Sequence, residues 1–128
     1  MLSACTPHAA ALVVNEVTSE GIDMIELYNG TAATIALLGY QVLDSADHTF
    51  TFGARSISAG GYVVLEKDVD FTFGLASDDL VKLLDKNGNV VDVADWAAGE
   101  AAPSYCRSPN GTGGFHTCAT ASFGSANP

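Results

Sequence analysis

The strongest constraint on how this chain folds is its punctuation. Short runs of apolar or alternating residues are each cut off by Gly, Asn, Asp or Ser, and no window carries a helical period with caps. Residues 11–17 read as a strand, ended by Thr18-Ser19-Glu20-Gly21. Residues 22–28 read as a second strand, stopping at Asn29-Gly30. Short extended runs follow at 34–38 and 39–43, and His48-Thr49-Phe50-Thr51-Phe52 alternates cleanly, which puts Phe50 and Phe52 on one face. Ala59-Gly60-Gly61 turns the chain into a strand over 62–66. Runs over 80–84 and 90–96 flank Asn87-Gly88, a pair that tolerates the positive φ angles of a type I′ hairpin turn. Many short strands and almost no helix predict an all-β domain, a sandwich or barrel of antiparallel strands. Residues 1–10 are small and patternless and read as a flexible tether, leaving 11–128 as one domain.

Charge narrows the partners. Five Lys and Arg against fifteen Asp and Glu leave a formal net charge of −10. Nucleic-acid affinity comes largely from basic side chains displacing counterions from phosphates, so duplex or single-strand binding is disfavoured. Hydrophobic residues at 48% suffice for a core, yet no run is long enough for a spanning helix.

The three cysteines divide unevenly. Cys106 and Cys118 flank a turn-rich segment, Arg107-Ser108-Pro109-Asn110-Gly111-Thr112-Gly113-Gly114, between β-forming residues. A disulfide joining two neighbouring strands suits that spacing and implies an oxidising compartment. The alternative is two buried free thiols. Cys5 lacks a partner, and Leu2-Ser3-Ala4-Cys5 resembles a bacterial lipobox, in which the cysteine receives a lipid. The basic and apolar signal segment of a lipobox is missing upstream, so a chance match in a lead-in stands beside lipidation. Any membrane contact would come through that lipid.

No catalytic constellation emerges. His8 lies in the tether, His48 in a strand and His116 between the late cysteines, none of them in a nucleophile motif. A metal centre of clustered His and Cys is absent, since His116 and Cys118 form one weak pair that a disulfide would consume. Asp85-Lys86-Asn87-Gly88-Asn89 starts like a Ca²⁺ loop but has no closing Glu, and reads as a turn. One polar group stands out: Asn15 and Glu16 at the end of the first strand, Glu26 and Asn29 at the end of the second. Two readings apply, a Ca²⁺ site of carboxylate and amide oxygens or, the favoured one, side chains that hydrogen-bond backbone at strand ends. Trp96, Tyr28, Tyr40, Tyr62 and Tyr105 are expected in the core, with Trp96 the best candidate for a stacking platform.

The order of the pieces resembles the lamin-tail domain in its bacterial form. The matching segments are Val14-Asn15-Glu16-Val17, Ile25-Glu26-Leu27-Tyr28-Asn29, Leu37-Leu38-Gly39-Tyr40-Gln41-Val42, Phe50-Thr51-Phe52, Ile57-Ser58-Ala59-Gly60-Gly61-Tyr62-Val63-Val64 and Leu83-Leu84-Asp85-Lys86-Asn87-Gly88-Asn89-Val90-Val91-Asp92. Arg107-Ser108-Pro109-Asn110-Gly111 is similar to the family's Arg-x-Pro-Asp-Gly, and Gly124-Ser125-Ala126-Asn127 to its terminal Thr-Pro-Gly-x-x-Asn. Asn110 departs from the common Asp, and Ser122-Phe123-Gly124 from Thr-Pro-Gly. The resemblance spans residues 12–127. It implies an immunoglobulin-like β-sandwich acting as a non-catalytic structural or binding module, in bacteria often beside extracellular nucleases, phosphatases or other hydrolases. Export to the cell surface or outside the cell, an unidentified protein or carbohydrate ligand and no cofactor are the matching expectations. A Ca²⁺-dependent carbohydrate-binding sandwich is the alternative, and an enzyme ranks below both.

Overall fold

A computed structural model describes residues 11–128, and all regular structure within them is β. The tether expected over 1–10, with Cys5 and His8, lies outside the described residues. Eleven strands follow in chain order: β1 (Leu12–Thr18), β2 (Met24–Asn29), β3 (Ile35–Ala36), β4 (Gln41–Leu43), β5 (Thr49–Thr51), β6 (Ser56–Ile57), β7 (Tyr62–Glu66), β8 (Asp79–Leu84), β9 (Val90–Trp96), β10 (Ser104–Ser108) and β11 (Gly114–Cys118). They form a five-stranded sheet in the order β11-β10-β1-β2-β7, a four-stranded sheet β5-β4-β8-β9 and a small β3-β6 pair. All strand pairings are antiparallel.

The core lies between the two larger sheets. Val14, Val17, Ile25, Leu27 and Leu65 come from the five-stranded sheet, and Val42, Val81, Leu83, Ala94 and Trp96 from the four-stranded one. Alternation delivers most of them, since β8 buries Val81 and Leu83 while its intervening residues reach the surface. Phe50 and Phe52 pack edge-on with centroids 4.9 Å apart, as their shared face requires. Phe71, Phe73 and Leu75 also enter the core, from an irregular stretch after β7 whose alternation of apolar residues marked it in the sequence without being read there.

Three local details differ from expectation. The second strand begins at Met24 because Asp23 is drawn out of it: its carboxylate accepts the Leu75 amide at 2.7 Å and its carbonyl the Lys67 amide at 3.0 Å. The β8–β9 hairpin forms, but its turn is not type I′. The Gly88 amide bonds back to the Asp85 carbonyl, and only Gly88 has positive φ, at 83°. The Asp85 carboxylate holds the amides of Asn87 and Asn89, each at 2.9 Å, and this selects a tight turn followed by one left-handed glycine. Asn15 and Glu16 do not end the first strand but lie inside β1, at a bulge. Val14 faces Leu27 while Glu16 faces Glu26, so Asn15 is the extra residue. The bulge shifts the alternation by one, and Val14 and Val17 therefore both point into the core.

Candidate functional site

The same bulge turns Glu16 onto the outer face of the five-stranded sheet, directly across from Glu26. Both carboxylates are fully buried. An isolated charge there would be costly, so their hydrogen bonds decide what the site is. Glu16 Oε2 accepts the Ser104 hydroxyl at 2.5 Å and the Ser122 amide at 2.9 Å, and its Oε1 accepts the Ser122 hydroxyl at 3.0 Å. Glu26 Oε1 accepts the Asn15 side-chain amide at 2.9 Å, and its Oε2 the Gly124 amide at 2.6 Å. Burial, reinforced by the neighbouring Glu16 charge, pushes the Glu26 carboxyl up from 4.5 to about 7, against the lowering effect of the bonds from Gly124 and Asn15.

Asn15, Asn110 and Asn127 complete the arrangement. Asn15 Nδ2 also donates to Asn110 Oδ1 at 3.1 Å, and Asn15 Oδ1 accepts the Gly111 amide at 2.9 Å. Asn127 donates to the carbonyls of Asn15 and Arg107 at 3.1 and 2.8 Å, and its own amide bonds Asn110 Oδ1 at 2.8 Å. Asn110 in turn donates to the Tyr62 hydroxyl at 3.1 Å. Gly111 must be glycine, because its φ is +75° and a Cβ would lie 2.5 Å from the Tyr28 ring.

Of the four polar residues expected together, Asn15, Glu16 and Glu26 meet and Asn29 does not. Asn29 closes the far end of β2, where its amide donates to the carbonyls of Ala33 and Ile57 and its Oδ1 accepts the amide and hydroxyl of Thr31. The oxygens of all four side chains accept hydrogen bonds from the protein's own donors. Among the described residues, no group of three or more His, Cys, Asp and Glu could hold a metal ion.

The remaining candidates resolve as follows. Cys106 and Cys118 form a disulfide across β10 and β11, their Cα atoms 6.0 Å apart and two positions off direct register, since Cys106 faces His116. Trp96 is buried and donates its indole N–H to the Ala76 carbonyl at 3.1 Å, so it offers no stacking platform. His48 sits just before β5, its Nδ1 2.8 Å from Asp44, and His116 is exposed on β11. Sequence reasoning missed Arg107 and Asp92. The Arg107 guanidinium forms a two-point ion pair with Asp92 at 2.9 and 2.8 Å, bonds the carbonyls of Val14 and Gly113, and lies 4.3 Å over the Phe115 ring. Asp92 also accepts the Val14 amide at 2.8 Å, so this pair ties the two sheets together beside the bulge. A sequence cannot show that one Asp on β9 answers one Arg on β10.

Two packed antiparallel sheets, with a C-terminal segment tied across one outer face, define an immunoglobulin-like β-sandwich module. The chain belongs to the lamin tail domain family, whose model matches residues 6–98. It is a structural or binding module of that type. The match stops short of the resemblance read over 12–127: β10, β11 and the final segment lie beyond it, although β10 pairs directly with β1. No curated protein matches the chain.

Proposed function

We propose that this domain is a non-catalytic accessory module of an exported bacterial protein, held at the cell surface through a lipid on Cys5 and working beside an extracellular hydrolase or nuclease. The Cys106–Cys118 disulfide in a lamin-tail sandwich carries the reading, because such bonds persist in oxidising compartments and are rare in the cytosol. Leu2-Ser3-Ala4-Cys5 supports the anchor, and membership of the family supports the modular role. The polar cluster supports a passive role as well, since Glu16, Glu26, Asn15 and Asn127 act as braces for the fold.

The test is to express the chain within its native flanking sequence in a bacterial host and supply a clickable fatty acid. Labelling that disappears in Cys5→Ala, with the protein in the membrane fraction, is the expected outcome. Unlabelled protein that stays in the cytosol with both late thiols reduced would overturn the reading.

A further inference from the structure

The sequence contains three Asn-Gly pairs, Asn29-Gly30, Asn87-Gly88 and Asn110-Gly111, and the fold treats them differently. An asparagine before glycine is prone to close on itself, because no Cβ hinders the next amide nitrogen as it attacks the side-chain carbonyl carbon. At Asn29 the side chain is buried, donates to the carbonyls of Ala33 and Ile57 and accepts from Thr31. A Cβ on Gly30 would lie 3.1 Å from the Ala11 carbonyl oxygen, so that glycine is crowded too. At Asn110 the carboxamide is held by Asn15, Asn127 and Tyr62, the Gly111 amide is bonded to Asn15 Oδ1, and the Tyr28 ring closes over Gly111. Asn87 has neither restraint. It is exposed in the β8–β9 turn, and among the described residues its carboxamide makes no hydrogen bond. Apart from the neighbouring residues, no atom lies within 4 Å of where a Gly88 Cβ would stand.

We propose that Asn87 is a site of spontaneous deamidation through a succinimide, selected from the three pairs by the fold. The Gly88 amide nitrogen, after losing its proton to base, forms a bond to Asn87 Cγ. The Cγ–Nδ2 bond breaks, ammonia leaves, and a succinimide ring closes. Water then opens the ring. Cleavage of the bond from Gly88 N to Cγ gives aspartate, and cleavage of the bond to the Asn87 backbone carbonyl carbon gives isoaspartate. No oxidant or reductant takes part. The brake on the reaction is the Gly88 N–H, which donates to the Asp85 carbonyl at 3.0 Å and must come free before the nitrogen attacks. Residues 86–91 are all exposed, so opening that turn uncovers no core and costs less than freeing Gly30 or Gly111. Either product places a new carboxylate beside Asp85. Isoaspartate also lengthens the main chain by a methylene, which draws the Gly88 and Asn89 amides off their Asp85 acceptors.

Peptide mapping by mass spectrometry of the full chain, aged in mildly alkaline buffer both folded and in urea, tests this without any variant. In the folded protein the Asn87 peptide is expected to gain about 1 Da, with isoaspartate exceeding aspartate by electron-transfer fragmentation. It should do so about ten-fold faster or more than the Asn29 and Asn110 peptides, whose reaction waits on a costlier opening. In urea the three pairs should react at similar rates, because each asparagine precedes a glycine and only the fold separates them. Folded Asn87 that reacts no faster than Asn29 or Asn110, aspartate without isoaspartate, or the same ranking kept in urea would each overturn the proposal.

Discussion

Arg107 shows how much a single side chain can hold in a domain of this size. Its guanidinium satisfies the Asp92 carboxylate at two points, caps two carbonyls and covers the Phe115 ring, and Asp92 in turn satisfies the Val14 amide freed by the bulge. A Lys has one compact ammonium and cannot reproduce that planar fork. Arg107→Lys should therefore cost about 2–4 kcal/mol in urea unfolding, with the m-value unchanged. Arg107→Lys combined with Asp92→Asn should cost less than the sum of the two single changes, because each partner strands the other. Glu16 carries a comparable load, with three hydrogen bonds into one buried carboxylate. Glu16→Ala leaves the Ser104 and Ser122 donors without an acceptor, and a loss of about 3 kcal/mol in the same assay is expected.

Among the elements, the β10–β11 hairpin depends most on a covalent tie. Its strands pair along their full length, and Tyr105 and Phe115 stack with centroids 4.9 Å apart, but β11 is the outermost strand of its sheet. The disulfide spans a sequence separation of 12, and closing a loop that short contributes about 3 kcal/mol by restricting the unfolded chain. Reduction with alkylation should leave a folded domain whose melting midpoint is lower by about 10 °C, measured by circular dichroism. A reduced form melting with the oxidised one would show that the hairpin holds itself. β9, at an edge of the other sheet, is shielded differently. The Asp92 carboxylate bonds the Val93 amide at 2.9 Å and ties the strand back to Val14 and Arg107, which occupies groups an incoming strand would otherwise use.

For the whole molecule, the net charge of −10 and the spent carboxylates lead to two expectations. Duplex DNA should bind weakly or not at all at physiological salt, since no basic stripe is available to neutralise phosphates. Salt-sensitive submicromolar binding in fluorescence anisotropy would contradict this. Ca²⁺ should leave the melting curve unchanged between millimolar metal and chelator, because a ligand at a hundred-fold excess over its Kd would add about 2.7 kcal/mol. A Ca²⁺-dependent rise that Glu26→Gln abolishes would instead favour the Ca²⁺-dependent carbohydrate-binding alternative.

The sequence alone was enough for the all-β class, the main strands and the Phe50–Phe52 face, because each depends on alternation or on turn residues a few positions away, whereas for Cys106 and Cys118 it offered a bridge beside two free thiols and the fold supplied the bond. It also singled out Glu16 and Glu26, since charged residues within apolar runs stand out without any structure. The tertiary structure alone decided which oxygens meet which donors. The bulge at Asn15 has no residue signature, yet it reverses the side-chain phase and sets Glu16 across from Glu26. Asn29 was grouped with them by position in the sequence, but the fold carries it to the opposite end of β2. The ties of Ser122, Gly124 and Asn127 to β1 and β2, and the Arg107–Asp92 pair, join residues far apart in the chain or on different sheets. Local propensity sets what each segment becomes, whereas a buried charge is satisfied by whichever donor the packed chain brings within about 3 Å.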